Sequence, residues 1–201
     1  MTMYVDGFNL YHGLHDWARC KWLWLDLEAL GTLLRPQAQL TRVKYFTAPV
    51  LNDPGGASRQ QTYQNALTSH CQNVTIIQGR YQSKLRTCRK CGHTYTLYEE
   101  KETDVNIASE LISDAASGSC DTALMVTADS DLLPAVRAAR RINPKLFVLF
   151  AFPPNRHSQD IKTQFPASFS IGKGRIRQAQ LPQSVPGKAS GKSFHRPDKW
   201  K

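Results

Sequence analysis

Four aspartates stand where a folded chain could bring carboxylates together. Asp6 ends the short apolar run 3–5, Asp104 opens a helix-like stretch, and Asp129 and Asp131 follow the apolar run "TALMVTA" 122–128. Crowded carboxylates repel one another unless a cation sits among them. All-oxygen ligands select a hard cation, Mg²⁺ or Mn²⁺. Such ions on a phosphodiester activate water and stabilise the leaving oxygen. Beside Asp6, Gly7 is expected to let the backbone approach phosphate, and Asn9 to make a neutral contact to a ligand, a water or a neighbouring acid. Singly, Asp104, Asp129 and Asp131 also fit helix N-caps. Their combination with Asp6 at a strand end points to a site.

Five short apolar runs have the look of buried strands: 3–5, 43–48, 74–79, 122–128 and 145–151. They lack strict alternation, as strands covered on both faces do. Helix-like stretches lie between them, at 25–35, 57–71, 103–116 and 129–142, and Pro134 fits only a first turn. Strands alternating with helices predict a three-layer α/β sandwich with a mainly parallel central sheet. Ligand sites in such sheets lie outside the carboxyl ends of the strands, where these acids are placed.

Residues 80–102 break the rhythm and read as an inserted hairpin with "CRKCG" at its tip. Cys88-x-x-Cys91 followed by Gly92 and His93 has the spacing of a zinc knuckle, with His93, His70, Cys71 or a second subunit to complete a structural Zn²⁺ site. A reduced or redox-active thiol pair is the alternative. Arg80, Lys84, Arg86, Arg89 and Lys90 surround the knuckle, interleaved with Tyr81, Tyr95 and Tyr98, a mixture that suits single-stranded nucleic acid. Arg156 and His157, near another strand end, could contact phosphate.

The net charge of +10 is uneven: residues 173–201 hold eight Lys/Arg against Asp198, leaving 18 basic and 15 acidic residues, a net +3, in 1–172. A basic tail favours polyanions, nucleic acid first. Its Gly/Gln/Ser/Pro/Lys-rich composition predicts a disordered segment at 176–201, of which 184–201 is expected to be dispensable for folding. Five scattered cysteines argue against a disulfide framework, and no run is long enough to span a bilayer, so the expectation is a cytoplasmic protein away from membranes.

Three stretches, "YVDGFNLYHGL", "EEKETDVNIASELISDA" and "DTALMVTADSDLLPAVRAAR", resemble the signature stretches of the NYN domain family, a branch of the PIN-like nucleases. With "FVLFAFPPNRHSQDI" downstream, the resemblance covers about 1–175. It implies a PIN-like fold and a divalent-metal ribonuclease or a close relative. Asp6, Asp104, Asp129 and Asp131 fall on the family's acidic metal-site positions, Asn9 on its amide, and Glu110 where relatives often have an acid. Six residues along a helix is about 240° around it, which turns Glu110 away from Asp104. Thr127-Ala128 stands where a Ser-Gly pair is common, a change expected to tighten the loop.

The leading expectation is a Mg²⁺- or Mn²⁺-dependent endoribonuclease with RNA as partner, and a homo-oligomer as an option. A weak or inactive RNA- or partner-binding module that keeps the acidic pocket is the alternative. A phosphatase or nucleotide-binding protein is disfavoured: the sequence has no GxGxxG, no Walker-type GxxxxGKS/T, and no second acid two residues after Asp6.

Overall fold

The first strand, β1 (Thr2–Asp6), enters the first helix, α1 (Gly7–Ala18), without a loop, because Asp6 is both the last strand residue and the helix N-cap. In this computed structural model, which describes residues 1–188 and 191–201 and only the backbone of Leu97, Glu99 and Glu100, alternation then continues. It runs through α2 (Leu27–Leu34), β2 (Arg42–Thr47), α3 (Pro54–His70), β3 (Val74–Gln78), β4 (Arg80–Thr87), β5 (Thr94–Lys101), α4 (Thr103–Ala116) and β6 (Thr122–Val126). A 3₁₀ turn (Ser130–Leu132) leads into α5 (Leu133–Ile142), β7 (Phe147–Phe152), α6 (Gln159–Gln164), β8 (Phe169–Ser170) and α7 (Lys173–Gln178). The chain ends with β9 (Ser184–Pro186), β10 (Ser193–His195) and a second 3₁₀ turn (Asp198–Trp200).

Six strands form a parallel sheet in the order β3-β2-β1-β6-β7-β8. From β1 the chain builds outward to β3, then returns to add β6, β7 and β8 on the other side. The switch point therefore lies between β1 and β6, the place where open α/β sheets bind ligands. Strand residues alternate between two cores. Met3, Val5, Val43 and Leu124 pack with α1, α2 and α3, whereas Tyr4, Phe46, Met125 and Phe150 pack with α4 and α5. Burial of both faces explains the apolar strand sequences. Among the described residues no helix is long and apolar enough to cross a membrane.

The inserted hairpin is present: β4 and β5 pair antiparallel from Arg80↔Lys101 to Thr87↔Thr94 as a sheet of their own. The tail departs from the expectation of disorder. Ile176, Ala179, Leu181, Val185 and Trp200 are buried in the first core. The backbone straps onto the segment before α2, with Asp26 N donating to Ala179 O (2.9 Å) and Leu181 N to Trp24 O (3.0 Å). Trp200 packs against Trp24 and Tyr63, ring centroids 6.3 and 5.9 Å apart. The apolar residues of the tail are single and widely spaced, so composition hides them, yet Ile176, Ala179, Leu181, Val185 and Trp200 all dock.

Candidate metal centre and its neighbouring cavity

Asp6 is built into its corner by a network that starts from its role as N-cap. Its Oδ1 accepts from Asn9 N (3.0 Å), and Thr127 Oγ1 donates to its Oδ2 (2.9 Å). Thr127 Oγ1 in turn accepts from Asp129 N (3.0 Å), Asn9 Oδ1 accepts from Ala128 N (3.1 Å), and Asp129 Oδ1 accepts from Asp131 N (2.9 Å). The β1–α1 corner is thereby locked to the β6 corner across the switch point. Thr127 was not a candidate, although it stands within the third family-like stretch. Its hydroxyl joins the two acids that matter most here.

Asp6, Asp104 and Asp129 line one cavity of about 270 Å³ together with Phe8, Asn9, His12 and Arg156. Asp131 is exposed and lies outside that lining. Asp6 is 5% exposed. Burial pushes its carboxyl above the usual range, against the bonds from Asn9 and Thr127, and the Asp129 charge adds to the rise. Among the described residues neither Asp6 nor Asp129 lies within ion-pair distance of a Lys or Arg. The guanidinium of Arg156 pairs instead with Asp16 (2.7 Å), while its Nε is buried without a hydrogen-bond partner among the described residues. No three His, Cys, Asp or Glu side chains among the described residues converge tightly enough to hold an ion alone.

Two roles expected of the first motif change. A Cβ on Gly7 would meet Phe46 O at 2.4 Å and the Tyr45 ring at 2.9 Å, so Gly7 admits the helix start to β2 and is not spare room for phosphate. Asn9 joins two corners through its Oδ1, and only its amide nitrogen remains for a ligand. Glu110 turns away, as the helix period requires. Lys44 Nζ binds both Glu110 Oε2 and Asp114 Oδ2 at 2.6 Å, and Tyr4 OH donates to Asp114 Oδ2 (2.5 Å). Burial raises the Asp114 carboxyl, but the bonds from Lys44 and Tyr4 and the Lys44 and Arg42 charges hold it below the usual range.

At the hairpin tip Gly92 takes φ +70°, which favours glycine, and its N donates to Cys88 O (2.9 Å). The N–H groups of Cys91 and Lys90, with the Cys91 thiol, lower the half-buried Cys88 thiol below its usual range. His70 and Cys71 do not reach the knuckle: both face Asp26, at 3.3 and 3.4 Å. No third ligand joins Cys88 and Cys91 among the described residues, His93 included. The strand register puts Arg80, Lys84 and Arg86 on one face of the arm, with Tyr95 and Lys101. Arg80 pairs with Glu102, and Arg89 and Lys90 sit in the exposed turn.

A second cavity, of about 360 Å³, shares Phe8 and His12 with the first. Tyr11, Tyr45, Tyr63 and Trp200 supply aromatic walls, and Arg59 and Lys199 supply charge.

The model of the NYN domain matches residues 1–169. The chain belongs to the NYN domain family. NYN domains are generally nuclease-like, divalent-metal-dependent and act on RNA. The chain is also similar to the 6-hydroxy-3-succinoylpyridine 3-monooxygenase HspA of Pseudomonas putida (strain DSM 28022 / S16). The two are 26% identical over 236 positions, covering 98% of this chain and 74% of the relative.

Proposed function

We propose that this chain is a divalent-metal-dependent endoribonuclease whose centre is the cavity of Asp6, Asp104 and Asp129. One observation carries the reading: these acids meet at the sheet's switch point, and neither Asp6 nor Asp129 has a Lys or Arg partner among the described residues. Mg²⁺ keeps several waters and takes one or two carboxylates plus substrate phosphates, so the donor set suits it without a closed protein cage. Asp6 and Asp129 would hold the ion, with Asp104 and Asp131 through water. When bound, the ion makes hydroxide available at neutral pH and steadies the leaving oxygen. The protein's part is placement. Thr127 fixes Asp6 and Asp129 relative to each other, the Asn9 amide faces the phosphate, and an anion in the cavity would satisfy the unpartnered Arg156 Nε. Lys84, Arg86, Arg89 and Lys90 on the arm would hold RNA by phosphate contact, with Arg80 released from Glu102.

Incubation of labelled single-stranded RNA and DNA with the protein plus Mg²⁺, Mn²⁺ or EDTA tests this. RNA cleavage that EDTA abolishes is expected, and intact RNA with both ions would reject it. A second reading follows from the relative, whose name describes a monooxygenase of a substituted pyridine, matched along almost all of this chain. It requires oxygen uptake with a hydroxypyridine acid and a reductant.

A further inference from the structure

We propose that the larger cavity is a base pocket: it takes one unstacked nucleobase of the RNA whose phosphate lies in the acidic cavity. The inference rests on the nuclease reading for its ligand class. Three observations carry it. First, the cavity of about 360 Å³ lies at the small end of the range for ligand sites, about 300–1,000 Å³, so it admits one ring system and little more. Second, its walls are rings. Tyr11 stacks beside His15, centroids 5.7 Å apart and planes 24° apart, while Tyr45 and Trp200 line the cavity from the sheet and from the end of the chain. Aromatic faces receive bases regardless of sequence. Third, Phe8 and His12 border both cavities, so a base and its own phosphate can occupy the two at once.

The polar groups fit a nucleotide better than a neutral ring. Gln60 is fully used, donating to Ala48 O (2.9 Å) and accepting from Val50 N (2.9 Å), and Tyr63 OH donates to Leu25 O (2.8 Å). Beside Asp53, His12 and His15, the lining carries two cations: Arg59, held at 3.5 Å by Asp53, and Lys199, which has no acidic partner among the described residues. Both can meet a base edge or a neighbouring phosphate. The occupant also explains why the tail folds back: its penultimate Trp200 forms part of the wall.

Trp200 is a core residue, so the test uses two residues nearer solvent. Tyr11→Ala removes a wall, and Val50→Trp fills the cavity from its loop. Calorimetry in EDTA with AMP, GMP, CMP, UMP and salicylate reads pocket binding apart from any cleavage. At least one monophosphate should bind with Kd of about 1 mM or tighter and weaken about tenfold in both variants. Glu110→Gln, which lines neither cavity, should leave that binding unchanged. No monophosphate binding, binding indifferent to both variants, or binding of salicylate alone would each overturn the base pocket. Metal-dependent RNA cleavage persisting beside such a result would leave the nuclease reading standing. Base binding without any cleavage would keep the pocket and remove the nuclease.

Discussion

Helix α4 carries acids at both ends, and the protein treats them in opposite ways. Near its start, Asp104 shares a cavity with Asp6 and Asp129, and the two latter acids meet no Lys or Arg among the described residues. Further along, Glu110 and Asp114 close on Lys44, with Arg42 and the Tyr4 hydroxyl completing the cluster around Asp114. The second group is neutralised within the fold and stabilises it. In the first, Asp6 and Asp129 have no such neutralising Lys or Arg among the described residues. Carboxylates alone are thus weak evidence of a site; that neither Asp6 nor Asp129 ion-pairs with a Lys or Arg among the described residues is the better sign.

The largest effect expected from this contrast is on stability. Lys44→Met strands two acids, one of them buried, and should cost about 3–5 kcal/mol in denaturant unfolding. A loss below about 1 kcal/mol would make the cluster no different from a surface pair. A somewhat smaller effect should come from the other group. Saturating Mg²⁺ at about a hundred times its Kd should stabilise the wild type by about 2.7 kcal/mol. That gain should vanish in Asp129→Asn and persist in Glu110→Gln; equal gains in all three proteins would erase the distinction.

The two groups should also answer to pH with opposite signs. The Asp114 carboxyl is lowered in the fold, so its contribution is present above the ordinary carboxylate value near about 4 and is lost as pH falls through its native value. The Asp6 carboxyl is raised, so its contribution is present below about 4 and is lost as pH rises through its native value. In EDTA, Asp114→Asn should flatten the acid limb of the stability curve and Asp6→Asn the limb above about pH 4. Matching curves for the two variants would contradict the contrast. The smallest effect belongs to Glu110→Gln: its side chain is 40% exposed, so about 0.5 kcal/mol of stability and no change in RNA cleavage are expected.

Much of the acidic group was legible from sequence because it is made of chain ends. Asp6 and Asp129 each follow an apolar run, and Asp104 opens a periodic helix; a parallel sheet then sends all three to one edge. Five strands and the inserted hairpin could be read the same way, from local pattern. The Lys44 cluster could not, since Tyr4, Lys44 and Asp114 meet only after folding, 70 and 110 residues apart. Thr127 escaped for a similar reason: its value lies in one bond to Asp6, 121 residues away. The tail misled in the other direction. Its polar composition outweighed Ile176, Leu181, Val185 and Trp200, single residues that only a finished core could reveal as anchors.

The most direct test of the central claim is Mn²⁺ binding itself, followed by the spin resonance of the free ion with wild type, Asp129→Asn and Asp114→Asn. Wild type and Asp114→Asn should take up the ion alike, and Asp129→Asn should bind it at least about tenfold more weakly. Undiminished binding by Asp129→Asn, or its loss in Asp114→Asn, would contradict the account.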